Sequence, residues 1–304
     1  MSQPTLSKAI SRGLGFGMAF TGGLWVFITW QRRKHAKNES SSPGFWNHTS
    51  SISPYQSERK STSSIGSIAA VAMGTHNLSI PTELPTEDAR MKIFDQLSEI
   101  YDSSLQVDEF FLRMGKNRQF LIRKAKGLVL EIACGTGRNL NYYNEATVSE
   151  VHFIDKSPEM MHRLKNKPIS HKKIFRSFTV GDVNDLKFKD DSFDTVVDTF
   201  GLCSFEFPEK ALNEMIRVTK PGGQILLLEH GVGRWRVVRW WQKRHLHQHV
   251  YSWGCYFNRD ILSFIENRAD VSVTDIKRKH FGTTYLIQLT KNKQPLQTTP
   301  SEVS

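Results

Sequence analysis

The sequence VLEIACGTGRNL, residues 129–140, places an apolar run directly before two glycines at positions 135 and 137. The run predicts a buried strand, and the residues after the glycines predict a helix. Glycines let the backbone turn tightly and bring amide groups close to a ligand, and a helix N-terminus favours an anionic group. A dinucleotide-binding loop has a third glycine where this sequence has Leu140, so no pyrophosphate site is specified.

Apolar, β-branched segments continue along the chain and alternate with polar or helical stretches. Residues 86–126 have apolar side chains at helical spacing, and five strand-like segments with crossover spacing follow: LVLEIA, VHFID, FRSFTV, FDTVVDTF and GGQILLLEH. Near the end, VSVTDIKRKHF and TTYLIQLT meet across a glycine, which predicts an antiparallel pair. The pattern predicts an α/β fold: a doubly wound, seven-stranded, mostly parallel sheet with helices on both faces.

Acidic residues lie at or near the ends of three successive predicted strands. Glu131 belongs to the first strand, and Asp155 ends the second, 18 residues after Gly137. A carboxylate at the end of the second strand can accept hydrogen bonds from both hydroxyls of a ribose. Asp182 follows the third strand, where it can reach an adenine amino group while Val183 covers the ring. Each acid alone is explained as a turn residue, but together they mark the ligand edge of an open α/β sheet.

The ordered set EIACGTG, FIDKSPEM, GDVNDL, FDTVVDTFGLCSF and VTKPGGQILLLEHG resembles the successive motifs of class I S-adenosylmethionine-dependent methyltransferases. The resemblance covers about residues 90–290 and implies a Rossmann-like methyltransferase fold with S-adenosylmethionine as cofactor. Ala133 departs from the family pattern, in which many members have glycine. The resemblance assigns cofactor contacts to six residues: Glu131, Gly135 and Gly137 at the methionine end, Asp155 at the ribose, and Asp182 with Val183 at the adenine.

Within this superfamily the chain is similar to the group that contains ubiquinone C-methyltransferases. It is more similar to two membrane-anchored groups, the fungal Oms-type mitochondrial methyltransferases and the animal alkyl-thiol methyltransferases. The shared features are an N-terminal anchor, GLCSF, LLLEHG, and a Trp/His-rich stretch ending in WGCYFNRD. These resemblances imply a small lipophilic methyl acceptor, such as a quinone precursor, a lipid or a thiol. Many amino-group methyltransferases have an Asn-Pro-Pro-Tyr-like tetrapeptide at the end of the fourth strand. This chain has DTFGLC there, which disfavours an amino-group acceptor.

Residues 13–30, GLGFGMAFTGGLWVFITW, form an uncharged run of 18 residues. A helix of this length rises about 27 Å, close to the thickness of a bilayer's hydrocarbon core. Tryptophans toward one end, followed at once by QRRKHAK, are typical of a membrane interface. The run therefore predicts a single-pass membrane anchor. A cleaved secretory signal is disfavoured because no small-residue cleavage site follows the run.

The remaining segments predict a tethered domain. Residues 1–12 are basic and acid-free, as in a mitochondrial targeting segment or in the flank of a signal anchor. Residues 31–85 are basic and then Ser-rich with few apolar residues, which predicts a flexible tether. We expect the methyltransferase domain over residues 86–292 and a disordered tail over residues 293–304. The expected location is the mitochondrial inner membrane, with the endoplasmic reticulum or the mitochondrial outer membrane as alternatives.

The net charge of +11 is concentrated in residues 1–38 and residues 230–249, which contain six and five Lys or Arg residues and no acid. The rest of the chain is formally neutral and predicts no basic groove, which disfavours nucleic acid as a partner. The second segment follows the fifth strand at the ligand edge. We predict that Trp235, Trp240 and Trp241 form a substrate lid, or that the segment lies on a membrane.

His230, at the end of the fifth predicted strand, is the candidate catalytic base for an acceptor that must lose a proton. The alternative is a histidine that orients a loop. We expect no metal site, since the three cysteines are far apart in the sequence and His245 and His249 have no nearby acid or cysteine. Two other functions stay open: an RNA or protein methyltransferase at an organelle membrane, and a non-catalytic membrane scaffold that retains the fold.

Overall fold

The computed structural model describes residues 83–169 and 173–293, with the side chains of all of these except residues 107–109. The predicted anchor at residues 13–30 and nearly all of the tether and tail lie outside the described residues. Within the described part of the chain, no helix combines the length and apolar character needed to cross a bilayer.

Seven strands form one sheet at the centre of the described domain. They are β1 Gly127–Ile132, β2 Val148–Asp155, β3 Phe175–Val180, β4 Phe193–Thr199, β5 Thr219–His230, β6 Val271–Lys279 and β7 Thr284–Lys291. Their order is β3-β2-β1-β4-β5-β7-β6. The first five strands are parallel, and β7 runs antiparallel between β5 and β6. The predicted mostly parallel sheet with a closing antiparallel pair is therefore confirmed.

Helices cover both faces of the sheet, so that it is doubly wound. They are α1 Glu87–Leu97, α2 Tyr101–Phe111, α3 Met114–Ile122, α4 Pro158–Lys165, α5 Pro208–Val218 and α6 Arg236–Trp253. Side-chain caps begin two of them: the hydroxyl of Thr86 accepts from the N–H of Ala89, and that of Ser157 accepts from the N–H of Met160. The predicted helical region at residues 86–126 is confirmed as three separate helices.

The helix expected directly after the glycine loop does not form. Residues 135–142 make consecutive turns instead, with the N–H of Leu140 donating to the carbonyl of Gly137 three residues earlier. Gly135 and Gly137 both have positive φ angles, +53° and +77°, which an α-helix excludes. The asparagines at positions 139 and 141 are also weak helix formers. The loop therefore offers turn amides to a ligand, and no helix N-terminus.

Alternate side chains of β1 enter two separate cores, one on each face of the sheet. Leu130 and Ile132 pack in a cluster with residues of α5, whereas Val129 packs in a cluster with residues of α3 and α4. This alternation fixes the register of β1. The parallel pairing of β1 to β4 brings their carboxyl ends together along one edge of the sheet, which is the edge where open α/β folds bind ligands.

Candidate cofactor and acceptor site

A cleft that is open to solvent lies along this edge. Four residues predicted to contact a cofactor line it: Gly135, Asp155, Asp182 and Val183. The opposite wall comes from the first two helices, with Glu87, Arg90, Met91 and Phe94 of α1 and Tyr101 of α2. The cleft is therefore bounded by strand-end loops on one side and by a helical cover on the other.

Gly135 and Asp155 fix each other at the centre of the cleft. The N–H of Gly135 donates to Oδ2 of Asp155 at 2.7 Å, and the N–H of Ser157 donates to Oδ1 at 2.9 Å. Burial raises the pKa of Asp155, against the effect of these two hydrogen bonds. A Cβ atom on Gly135 would meet no described atom within 4 Å. The backbone of Gly135 is therefore open to a ligand, and the carboxyl group is held at the end of β2.

Gly137 has a different role, because it does not line the cleft. A Cβ atom at this position would lie 2.1 Å from Cδ1 of Leu164 on α4. The glycine therefore allows the loop to pack closely against α4. The sequence predicted a contact with the methionine end of the cofactor for both glycines, whereas the structure exposes only Gly135 to the cleft.

Glu131 is buried behind the cleft, with 1% of its surface exposed. It accepts hydrogen bonds from the hydroxyl of Tyr143 and from Nδ2 of Asn139. Nδ2 of Asn139 also donates to Oγ1 of Thr199, which lines the cleft, and Arg118 donates to both Asn139 and Thr199. Burial raises the pKa of Glu131 to about 7. Glu131 thus connects to the cleft through Asn139 and Thr199.

Asp182 lies at the other end of the cleft and joins the sheet edge to the helical cover. Nζ of Lys156 donates to Asp182 at 2.9 Å and to Glu87 of α1 at 2.7 Å, while the N–H of Asn184 donates to Asp182 at 2.8 Å. Burial alone would raise the pKa of Asp182, but the hydrogen bonds from Lys156 and Asn184 outweigh it and hold the pKa below its usual value. Val183 is buried beside this carboxylate and presents its side chain to the same cleft.

A buried pair of carboxyl groups, Asp198 and Glu229, holds the loop after β4. The four main-chain N–H groups of residues 200–203 all donate to this pair. The middle two donate to Asp198 at 3.0 and 2.9 Å, and the outer two donate to Glu229 at 3.1 and 3.0 Å. Burial raises the pKa of both groups. Since Phe200 and Gly201 line the cleft, this pair sets the shape of one wall.

His230, the candidate base, does not line the cleft. Its ring stacks on the ring of Phe200 with centroids 4.3 Å apart, and Phe200 is the residue that faces the cleft. Nδ1 of His230 lies 3.3 Å from Sγ of Cys255 and 3.8 Å from Sγ of Cys203. Cys203 is fully buried. The structure therefore places His230 one side chain away from the cleft.

The three predicted lid tryptophans do not cover the cleft. Trp235, Trp240 and Trp241 are 55%, 65% and 38% exposed. The cause is Gln242, which is buried, donates through Nε2 to the carbonyls of Gly231 and Phe257, and accepts from an N–H through Oε1. These bonds turn the Gln242 face of α6 inward and the tryptophan-bearing face outward. The cover over the cleft consists of α1 and α2 instead.

Arg90 lines the cleft, although the sequence did not predict it as a site residue. It is buried, and it donates to the hydroxyl of Tyr256 at 2.7 Å and to Glu206 at 3.1 Å. These bonds tie the helical cover to the C-terminal half of the domain. An arginine on an amphipathic helix normally indicates an exposed face, so the sequence gives no signal for this role. Thr199 could have been found, since it ends β4 at the ligand edge.

Comparisons with known proteins identify relatives that are methyltransferases. A family model described as a methyltransferase domain matches residues 130–227. "Methyltransferase OMS1, mitochondrial" from Saccharomyces cerevisiae is 32% identical over 222 residues, which are 67% of this chain and 46% of that protein. "Demethylmenaquinone methyltransferase" from Renibacterium salmoninarum is 37% identical over 152 residues, 48% of this chain and 59% of that protein. The chain thus spans about half the length of these two relatives.

A third relative and one solved structure extend the comparison. "Thiol S-methyltransferase TMT1B" from Homo sapiens is 29% identical over 170 residues, 51% of this chain and 68% of that protein. A Thermotoga maritima structure, described as an S-adenosylmethionine-dependent methyltransferase, shares the fold with a TM-score of 0.50 at 19% identity, covering 67% of this chain and 100% of that chain. On its motifs, sheet topology and relatives, the chain belongs to the class I S-adenosylmethionine-dependent methyltransferase family.

Proposed function

We propose that this chain is a methyltransferase that binds S-adenosylmethionine in the cleft between the sheet edge and α1. The observation that carries the proposal is the alignment of Gly135, Asp155 and Asp182 along one cleft, each at the end of a different strand. The open space at the Cβ position of Gly135 supports this fit, because it lets a ligand approach the main chain. When bound, the cofactor supplies an electrophilic methyl group on a sulfonium.

Each lining residue has a role that matches its surroundings. The carboxyl group of Asp155, which backbone bonds already orient, keeps lone pairs for the ribose hydroxyls. Asp182 accepts from the adenine amino group, and Val183 packs against the ring. At the methionine end, Thr199 faces the cleft and is held by Asn139, which is in turn held by Glu131. We therefore assign Glu131 a positioning role.

The acceptor that suits this cleft is small and lipophilic. Apolar side chains dominate the wall where an acceptor would approach the cofactor, among them Met91, Phe94, Phe200 and Phe205. Such a wall excludes water and favours a reaction in which positive charge is lost. The two relatives named for demethylmenaquinone and for a thiol act on small molecules by their names. A quinone precursor, a thiol or a lipid is therefore the acceptor class we propose.

His230 serves this reaction as a residue that positions the loop after β4. Because its ring stacks on Phe200, it supports the wall of the cleft from behind. This role corresponds to the alternative that the sequence left open. An acceptor that is already deprotonated, such as a thiolate, needs no base at the cleft.

We also propose that residues 13–30 anchor the domain in the mitochondrial inner membrane. The uncharged run with its basic flank supports the anchor, and the yeast relative is named as mitochondrial. The outward face of α6 supports a membrane location as well, since it exposes Trp235, Val237 and Trp240 beside arginines. Alkaline extraction of mitochondria that carry the full chain tests this: the protein should stay with the membranes and leave them when residues 13–30 are deleted.

A methyl-transfer assay tests the proposed activity. The purified full chain in mild detergent would receive methyl-labelled S-adenosylmethionine and, separately, an alkyl thiol, a hydroxylated quinone precursor, a phospholipid, an RNA and a protein mixture. We expect label on one of the first three, lost in Asp155→Ala and kept in Asp190→Ala, a matched change at an exposed acid. Label on RNA or protein alone, or no transfer by the folded wild-type chain to any acceptor, would contradict the proposal.

A further inference from the structure

Cys203, His230 and Cys255, here called the Cys–His cluster, converge behind the cleft wall. The two Sγ atoms are 3.3 Å apart, and Nδ1 of His230 lies 3.3 Å from Cys255 and 3.8 Å from Cys203. All of these ligand atoms lie within 4.8 Å of one another. The two cysteines are 0% and 5% exposed. Two buried sulfurs and an imidazole at such distances form the donor set that soft divalent cations prefer.

Each member of the cluster comes from a different part of the fold. Cys203 belongs to the loop after β4, His230 ends β5, and Cys255 follows the end of α6. Gly254, with a φ angle of +67°, ends this helix and turns the chain so that Cys255 faces the other two residues. The members are 25 or more residues apart, so no short spacing motif reveals them. The expectation that the chain has no metal site rested on this missing motif.

We propose that the Cys–His cluster is a binding site for Zn²⁺ or a cation of the same class. In a tetrahedral site, bond lengths of about 2.3 Å to sulfur and 2.0 Å to nitrogen place the ligand atoms about 3.5 to 3.8 Å apart. The distances within the cluster, 3.3 to 3.8 Å, are close to these values. A disulfide needs the two sulfurs at about 2.05 Å. A cation therefore requires a smaller movement of the two cysteines than a disulfide does.

His249 is the fourth ligand in this proposal. Its Nε2 atom is buried and has no hydrogen-bond partner within the described part of the chain. Its ring stacks on Phe257 and lies 6.3 Å from the ring of His230, at right angles to it. Two imidazoles on one tetrahedral cation have ring centres about 5 Å apart. The ring centres of His230 and His249 are thus about one ångström farther apart than in such a site, and coordination would satisfy the buried nitrogen of His249.

The site would join three segments next to the cleft. Cys203 lies between Gly201 and Ser204, both of which line the cleft, and His230 supports Phe200 from behind. A bound cation would fix these positions relative to the end of α6. It would contribute to the shape of the cleft wall without touching a ligand in the cleft.

Cobalt titration of the full chain tests the proposal. The protein would be purified without a histidine tag, kept reduced with a phosphine, stripped with a chelator and titrated with Co²⁺. We expect equimolar binding with a thiolate-to-cobalt charge-transfer band, displacement by Zn²⁺, and a higher thermal midpoint with Zn²⁺ bound. Folded wild-type protein that binds no Co²⁺, or binds it without the charge-transfer band, would overturn the proposal.

Variants locate the cation. Cys203→Ser and Cys255→Ser should each weaken the charge-transfer band and lower Co²⁺ affinity at least tenfold, and His249→Ala should lower the affinity while the band remains. Cys134→Ser is the matched control, since Cys134 is equally buried but packs in the opposite core of the sheet. Loss of binding in Cys134→Ser, or an unchanged spectrum in both cluster cysteine variants, would exclude this site. If a variant fails to fold, the wild-type titration still decides whether the chain binds a cation through thiolates, and Cys134→Ser decides whether Cys134 is one of them.

Discussion

Replacing Glu131 by glutamine should change how stability depends on pH. The pKa of this carboxyl is about 7 in the folded chain and 4.5 at its ordinary value, mainly because of burial. Between these pH values the folded state binds one more proton than the unfolded state, so stability is lost as the pH rises through about 7. At about 1.36 kcal/mol per pH unit, the loss between pH 4.5 and 7 amounts to about 3 kcal/mol.

Glutamine keeps the shape of the side chain and can still accept from Asn139 while donating to the hydroxyl of Tyr143, but it does not titrate. We would measure the free energy of unfolding by urea at pH 4.5 and pH 8 for the full-length wild type and for Glu131→Gln. The value for the variant minus that for the wild type should be about 3 kcal/mol higher at pH 8 than at pH 4.5. Acids that do not interact with Glu131 contribute equally to both proteins and cancel, while the charge of Glu131 also raises the pKa of Asp198, which adds to the effect in the same direction. Glu266→Gln, at an exposed position, should show no such change. Parallel pH profiles for wild type and Glu131→Gln would refute the reasoning.

Two further predictions concern the walls of the cleft. Gly135 and Gly137 both have positive φ angles, so alanine costs about 1 to 2 kcal/mol of backbone strain at either position. Gly135→Ala should in addition weaken S-adenosylmethionine binding about tenfold in calorimetry, because its methyl group enters the cleft. Gly137→Ala should lower the thermal midpoint further, because its methyl group collides with Leu164 of α4; the reverse pattern would contradict the assignment. Glu229→Ala removes a side-chain acceptor from the N–H groups of Phe200 and Cys203. The N–H of Phe200 keeps the carbonyl of Leu228 at 2.8 Å, whereas that of Cys203 loses its acceptor. A buried N–H without an acceptor costs about 1 to 3 kcal/mol, so urea unfolding should show a loss of that size, and an unchanged free energy of unfolding would argue against the role of this carboxyl pair.

Local sequence patterns predict much of this fold because they report local constraints. The apolar run around Leu130 and the spacing of the strand-like segments predict the sheet, since a strand buried on both faces needs apolar residues throughout. Asp155 ends β2 and Asp182 follows β3. The carboxyl ends of parallel strands lie at the same edge of a sheet, so the two acids are expected there. Together with Gly135 and Val183, these residues line the cleft where the sequence placed them.

Long-range contacts account for what the sequence did not predict. The close approach of Leu164 determines the role of Gly137, and Arg90 is buried by partners more than 100 residues away. The inward turn of α6 depends on carbonyl acceptors in two other loops, which the tryptophan pattern does not report. The Cys–His cluster forms only when three separate segments meet. In each case the decisive partner is distant in the chain, so neither periodicity nor spacing carries the information.

Calorimetric titration of S-adenosylmethionine into the purified full chain tests the central claim most directly. The wild-type protein should bind the cofactor in equimolar amount. Because a hydrogen bond to a charged group contributes about 1.5 to 3 kcal/mol, Asp155→Ala should bind at least about tenfold more weakly, and Asp190→Ala should match the wild type. Folded wild-type protein that does not bind S-adenosylmethionine, or an Asp155→Ala variant with unchanged affinity, would contradict this account of the cleft.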